Sequence, residues 1–115
     1  MDNVGYQETM DKIADHFPYL QQLCQIETEK VFHAAIKILN SIRFLVPMYF
    51  RSKPHKAIAL VILLLACRKL GISMTLKRII KMSKMKTKVV NKCLITLKKI
   101  LPKDESYNAK PVVYL

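Results

Sequence analysis

The residues of this sequence best suited to chemistry are its cations, and they are unevenly placed. The 115 residues contain 20 Lys and Arg against 8 Asp and Glu, a formal net charge of +12. Every carboxylate side chain lies near one of the two ends, and the 74 residues from Lys30 to Lys103 hold 18 bases and no acid. Surfaces that serve only solubility intersperse both signs of charge. A field of one sign therefore predicts a polyanionic partner, nucleic acid first, with an acidic lipid surface or an acidic protein as alternatives.

The densest part of this basic segment, residues 75–101, predicts two short amphipathic helices joined by a tight turn. Ser73 or Thr75 begins the first helix, Thr87 caps the second, and Pro102 ends it. Two helices with such a connection are typical of a helix-turn-helix unit.

The core positions of such a unit can be tested against the sequence. With Lys84 at the turn, four apolar residues fall where the small core needs them: Ile79, Met85, Val90 and Cys93. Two positions depart from the usual pattern. The turn position usually carries glycine, which readily adopts a positive φ, and here it is Lys84. The position four residues earlier usually carries a small residue, and here it is Ile80.

The charges of this helix pair point to DNA. Its two helices and their turn contain nine bases and no acid. On the second helix Lys88, Asn91, Lys92 and Lys99 project away from the apolar stripe, and such a face fits a groove of duplex DNA. The alternative is a solvated lysine face without a ligand. The predicted DNA contacts are Lys77, Arg78, Lys81, Lys84, Lys86, Lys88, Val89, Asn91 and Lys92, with Arg51, Lys53 and Lys56 from a basic rim earlier in the chain.

These residues need a scaffold, and the stretch Ala57–Cys67 predicts its centre. It reads AIALVILLLAC, without a polar side chain. Eleven helical residues extend about 16 Å, too short for a hydrocarbon core of about 30 Å. A helix that is apolar all round must be buried by neighbours. Ser52 and Pro54 predict its beginning, and Gly71 its end.

The remaining chain predicts the helices that surround this central one. Residues up to about Glu8 are expected to be irregular, and Pro18 is expected to divide Glu8–Cys24 into two short helices. A long helix, capped by Thr28, should follow to about Val46 and turn an apolar stripe inward. Its inward residues are expected to be Val31, Phe32, Ala34, Ala35, Ile36, Ile38, Leu39, Ile42 and Leu45.

The predicted fold class is all-α, a five-helix bundle around a buried central helix, with the last two helices forming the helix-turn-helix-like unit. Residues 1–17 are expected to be an extension with a short helix, residues 18–102 the helical body, and residues 103–115 a peripheral tail. Within that tail Val112–Leu115 are candidates to dock back onto the body. The chain is expected to be monomeric.

Nothing in the sequence predicts an enzyme, a metal site or a cofactor. His16, His33 and His55 are scattered, the carboxylates avoid the basic body, and with Gly5 and Gly71 as its only glycines the chain has no glycine-rich phosphate loop. The three cysteines, Cys24, Cys67 and Cys93, are far apart and lie in apolar or amphipathic segments, so we interpret them as reduced core residues of an intracellular protein. The N-terminus lacks the basic and apolar regions of a secretory signal.

A family resemblance rests on short motifs spread over residues 20–102. They are the basic and proline lead-in RSKP at 51–54, Ile58–Ala59, Ala66–Cys67, Thr75 with Lys77 and Ile79, and the apolar pair Val90 and Leu94. With the helix order these motifs resemble the second cyclin-like repeat of transcription factor IIB and its relatives. The resemblance implies a cyclin-box fold, promoter DNA, TATA-binding protein and RNA polymerase as partners, and a nuclear location, or a cytoplasmic one in an archaeal or viral setting.

The sequence also departs from that family. The family's central helix is rich in alanine, whereas Leu60, Val61 and Leu63–Leu65 are bulkier. Where the family's recognition helix has Val-Thr-Ile-Arg, this chain has Lys88–Asn91. Asn can read adenine bidentately and Val89 can touch a thymine methyl, so an A·T-leaning preference is a hypothesis. The family's zinc ribbon and first cyclin repeat are not in this sequence.

Three functions from different classes fit the sequence. The first is a DNA-binding module of a basal transcription initiation factor. The second is a cyclin-type protein-interaction module whose charge only steers association. The third is a cationic helical protein on anionic membranes, which needs a large exposed apolar face, whereas the apolar faces are expected to be in the core.

Overall fold

The computed structural model describes residues 4–24, 28–51, 54–81 and 83–108, and for residues 4, 17, 19–24 and 28 it describes the backbone only. The chain is all-helical, and no strand occurs among these residues. Five α-helices follow one another: α1 Val4–Cys24, α2 Thr28–Leu45, α3 His55–Lys69, α4 Leu76–Lys81 and α5 Thr87–Ile100. Two 3₁₀-helices, Pro47–Phe50 and Glu105–Tyr107, follow α2 and α5.

Helix α3 is the centre of the molecule, as its composition predicts. All eleven residues from Ala57 to Cys67 are fully buried. Helices α1, α2 and α5, with the second 3₁₀-helix, pack around it. The radius of gyration is 13.4 Å, close to the roughly 13 Å expected for a compact chain of this length.

The ends of α3 are fixed by backbone chemistry. Pro54 is the residue before the first helical turn, and its carbonyl accepts a hydrogen bond from the N–H of Ile58 at 3.1 Å. The predicted cap Ser52 lies outside the described residues. At the other end Gly71 has φ 77°, its N–H donates to Arg68, and the N–H of Ile72 donates to the carbonyl of Cys67. This is a Schellman ending, which confirms the prediction for Gly71.

Helix α2 matches its predicted extent to within one residue at its end. Its buried face consists of Val31, Ala35, Ile38, Leu39 and Ile42, with Phe32, Ala34 and Ile36 half-buried. The prediction is wrong for Leu45, which is 46% exposed. The helix ends beside solvent on this side, where Phe44 and Leu45 are both exposed although Ile42 is buried.

Helix α1 is continuous from Val4 to Cys24, so the predicted division at Pro18 is wrong, and so is the irregular structure predicted for residues 4–8. Pro18 is on the exposed side of the helix. The buried face of α1 is a mixed stripe of Gly5, Thr9, Ile13 and His16, at helical spacing. The Thr9 hydroxyl donates to the carbonyl of Gly5 at 2.8 Å, which satisfies it within the helix. This stripe packs the part of α1 before Pro18 against the body, and the helix continues through Pro18 to Cys24.

The start of α1 is packed closely against the segment before α3. A Cβ on Gly5 would lie 2.7 Å from both the Cβ and the carbonyl oxygen of Phe50. The His55 ring connects the same elements, because Nδ1 lies 2.7 Å from Glu8 Oε2 and Nε2 lies 2.8 Å from the Phe50 carbonyl oxygen. Within the extension predicted for residues 1–17, the described start of α1 is therefore packed against the body.

The described part of the tail, up to Asn108, is also attached to the body rather than peripheral. Tyr107 is buried, and its carbonyl accepts a hydrogen bond from Arg68 Nη1 at 3.1 Å. Lys69 Nζ donates to Asp104 Oδ2 at 2.6 Å. These contacts join the second 3₁₀-helix to the end of α3. The predicted docking of Val112–Leu115 lies outside the described residues.

Candidate nucleic-acid interface

The segment from Thr75 to Leu101 folds as two helices and a tight turn, as its sequence predicts. Thr75 caps α4, because its Oγ1 accepts from the N–H of Arg78 at 3.2 Å. The predicted cap Thr87 is wrong: Thr87 is already helical, the preceding residue is Lys86, and no side chain caps that end of α5.

The turn is built by Ser83 and Lys84. The Ser83 hydroxyl donates to the carbonyl of Ile80 at 3.1 Å and accepts from the N–H of Met85 at 3.3 Å. Lys84 has φ 57°, the one positive φ of a non-glycine residue in the described chain. The residue that replaces the usual turn glycine thus takes a glycine-like backbone conformation. This agrees with the helix-turn-helix register predicted from sequence.

The four predicted core positions of the unit all face the body. Ile79 and Val90 are fully buried, Cys93 is 7% exposed, and Met85 is half-buried against the core. The Tyr49 hydroxyl lies 3.5 Å from the sulfur of Cys93. Burial, and then this hydrogen bond, raise the pKa of Tyr49, so the hydroxyl stays neutral. Tyr49 thereby fixes α5 to the segment before α3.

One face of α5 is buried and the other is basic. The buried face consists of Val90, Cys93, Leu94 and Leu97, followed by Leu101, as predicted. The opposite face is exposed at helical spacing and carries Thr87, Lys88, Asn91, Lys92, Ile95, Lys98 and Lys99. We call the exposed set Lys88, Asn91 and Lys92 the α5 face. Its members lie in the half of α5 nearest the turn, which is the part of a recognition helix that approaches base edges.

Val89 does not share this exposure. It is half-buried and packs against the hydrophobic core. Its predicted contact with a thymine methyl is therefore not part of the α5 face, and Asn91 is left as the polar side chain suited to base reading.

The other predicted contacts of the helix pair are exposed cations. They are Lys77, Arg78 and Lys81 on α4, Lys84 in the turn and Lys86 before α5. Within the described residues no carboxylate pairs with any of them, since the two ion pairs found there join His55 to Glu8 and Lys69 to Asp104. The positive potential of this surface is therefore not neutralised locally.

The predicted basic rim before α3 is only partly described. Arg51 and Lys56 are exposed, and Lys53 lies outside the described residues. Arg51 follows the first 3₁₀-helix, and Lys56 lies in the first turn of α3. Neither residue is part of the helix pair, which spans Leu76–Ile100.

A second surface, a groove beside α2, was not predicted from the sequence. A cavity of about 520 Å³ lies between α2, the end of α3 and the segment after α5. Lysines from all three contribute to it: Lys30, Lys37, Lys69 and Lys103. The signal for α2 was present in the sequence, because positions 30, 33, 37, 41 and 44 share one face of a helix. The opposite wall comes from distant parts of the chain, which no local pattern indicates.

The one carboxylate among the residues that line this groove, Asp104, is hydrogen-bonded to Lys69 and Ser106. Asp104 accepts from Lys69 and also from the N–H and hydroxyl of Ser106, at 2.9 and 2.6 Å. The Lys69 hydrogen bond, followed by those from Ser106, lowers the pKa of Asp104 to about 2. Asp104 is thus ionised at neutral pH, and its negative charge neutralises that of Lys69 rather than the charges of the other lysines in the groove.

No catalytic arrangement is evident in the described residues. His16 is buried with Nδ1 2.6 Å from the Lys12 carbonyl oxygen, His33 is exposed, and His55 bonds to Glu8 and Phe50. Among the described residues, no group of three or more His, Cys, Asp or Glu is placed to hold a metal ion. None of the helices described is long and apolar enough to cross a membrane.

Comparison with protein-family models, with curated proteins and with solved structures finds no match for this chain.

Proposed function

We propose that this chain is a DNA-binding helical module, in which α5 enters a groove of duplex DNA and the cations of α4 and the turn contact phosphates. The same proposal includes a finer assignment. In it the chain is a cyclin-like module of a transcription factor IIB-like initiation factor, located in the nucleus and without enzymatic activity. Its support is the family resemblance of the sequence motifs. TATA-binding protein and RNA polymerase enter only through that resemblance.

One observation carries the proposal of DNA binding. The helix pair presents its cations outward on one continuous unit, with Lys84 at φ 57° in the turn and the apolar side of α5 fully used by the core. Lysines scattered for solubility would be accompanied by acids, yet the sequence has none between Lys30 and Lys103. Duplex DNA is the polyanion whose groove admits an α-helix.

Salt dependence tests the mode of binding. Anisotropy of a labelled 20-base-pair duplex, measured between 50 and 250 mM NaCl, is expected to give a slope of log affinity against log salt of about −4 to −6 if five or six phosphates are engaged. A slope near zero would contradict the proposal.

Two charge-matched variants test the surface. Lys88→Ala/Lys92→Ala is expected to weaken duplex binding about 10- to 50-fold at low salt and to reduce the slope by about two. Lys37→Ala/Lys103→Ala removes the same charge from the groove beside α2 and is expected to change affinity less than about threefold, through net charge alone. If both variants lose the same affinity for the duplex, only the overall charge of the chain matters, and the proposal that α5 enters a DNA groove is wrong.

Base preference is tested separately with Asn91→Ala. If Asn91 reads adenine, the variant loses about 1–3 kcal/mol of preference for A·T-rich over G·C-rich duplexes. Tighter binding of the parent chain to a G·C-rich element like that of the resembled family would remove the A·T hypothesis.

A further inference from the structure

The groove beside α2 has the features of a peptide-docking surface, independent of the DNA-binding face. One wall is the α2 face with Lys30, Ala34, Lys37 and Ser41, and the other includes Leu70 and Pro102. Apolar side chains therefore line the groove in the spaces between its lysines. A site for nucleic acid phosphates alone has no need of that apolar surface.

The groove continues into an exposed apolar patch at the end of α2. A second hollow of about 360 Å³ is lined by Phe44 and Leu45 and shares Ser41 and Pro102 with the first. Phe44 is 84% exposed, and the following residues to Met48 include further exposed apolar side chains. Contiguous apolar surface next to polar residues marks a site of protein interaction.

The positive charge of the groove favours a partner with acidic side chains. The single carboxylate among its lining residues, Asp104, is bonded to Lys69, and neither described ion pair involves Lys37 or Lys103. An acidic partner gains attraction from both. A basic or neutral one does not.

We propose that this groove binds an acidic, amphipathic helical segment of another protein, with its apolar side against Phe44, Leu70 and Pro102 and its carboxylates toward Lys37 and Lys103. The α2 wall from Lys30 to Leu45 is about 22 Å long at 1.5 Å per residue, which matches about four helical turns. Apolar anchors at i, i+3, i+4 and i+7 are the usual way that a helix fills such a groove.

The test uses a defined probe. A fluorescein-labelled 16-residue peptide carries Leu and Phe at i, i+3, i+4 and i+7 and Asp or Glu elsewhere. One control peptide has the same composition in scrambled order, and another has amides in place of the carboxylates. Binding to the full chain is followed by anisotropy at fixed salt, with circular dichroism to verify that each variant is folded.

Reciprocal variants give the expected result. Lys37→Ala/Lys103→Ala is expected to weaken peptide binding about tenfold, and Phe44→Ser, which leaves the charge unchanged, by a similar factor. Lys88→Ala/Lys92→Ala is expected to change it less than about twofold, because the α5 face does not line the groove. Both control peptides should bind at least about tenfold more weakly than the probe.

Several results would overturn the proposal. Equal binding of the scrambled peptide would show that charge alone is responsible, and an equal loss in the α5-face variant would move the site elsewhere. Displacement of the peptide by single-stranded DNA, with DNA binding lost in the groove variant, would assign the groove to nucleic acid. Because duplex binding is measured on the same variants, failure of the groove proposal is distinguishable from failure of the proposed DNA binding.

Discussion

Lys84 shows what a single residue contributes to the interface. Its φ of 57° is unfavourable for a side chain with a Cβ, by roughly 1–2 kcal/mol relative to the right-handed region. Glycine avoids that penalty. A lysine at this position therefore adds a cation to the turn at the expense of stability, which is the combination expected where binding matters.

This gives a stability prediction with a matched pair of variants. Lys84→Gly is expected to be about 1 kcal/mol more stable than Lys84→Ala, because both lose the cation and only glycine relieves the backbone. Urea denaturation of both variants measures the difference. If the alanine variant is as stable as the glycine variant, the turn does not hold a left-handed residue.

Asp104 gives a prediction about pH. Its pKa in the folded chain is about 2, against 3.8 without the Lys69 and Ser106 bonds, so its stabilising effect is complete above about pH 5 and is lost as the pH falls from about 4 to 2. Asp104→Asn is expected to lower Tm by about 1–3 °C at pH 7, because the pair is partly exposed. The difference between parent and variant should shrink toward pH 3. A difference that is constant from pH 7 to pH 3 would assign the effect to packing.

Helices that are fixed by local chemistry could be predicted from the sequence. The composition of Ala57–Cys67 indicates burial on all sides, and Gly71 supplies the ending that such a helix requires. The register of the helix pair followed from four apolar positions and one turn residue. These features depend on neighbours within about ten positions.

Features that depend on tertiary packing were missed. Pro18 predicts a break by its local effect, but α1 continues through it as one helix, with Pro18 itself exposed. The groove beside α2 requires Lys103 and Asp104 to return to α2 after four intervening elements. Neither follows from the spacing of residues along the chain.

A substitution at Gly5 tests whether helix α1 packs against the segment before α3. In an open helix Gly→Ala stabilises by about 1 kcal/mol. Here the new methyl group would meet Phe50 at 2.7 Å, so Gly5→Ala is expected to destabilise the chain by about 1–3 kcal/mol. Ala14→Gly, at an exposed position of the same helix, is the control and should cost only about 1 kcal/mol. A stabilising Gly5→Ala would mean that α1 does not pack against Phe50.

At the scale of the whole molecule, the single sign of charge has opposite effects on folding and on binding. Cations that face outward together repel one another in the folded chain, and the described residues offer them few carboxylates. A polyanion that binds the folded state removes this repulsion and raises Tm by mass action. Repulsion between the cations of the free chain and the proposed affinity for DNA thus have the same origin.

Salt separates these two effects. Raising NaCl from 50 to 300 mM is expected to raise Tm of the free chain by about 2–6 °C, because screening weakens the repulsion between its cations. Over the same range Tm of the duplex-bound chain should fall toward that of the free chain, since salt weakens phosphate binding. Scanning calorimetry with and without duplex measures both trends, and Lys88→Ala/Lys92→Ala should reduce each of them. A Tm of the free chain that falls with salt would show that attractive pairs dominate its surface, and the interpretation of the basic field as a binding surface would lose its physical basis.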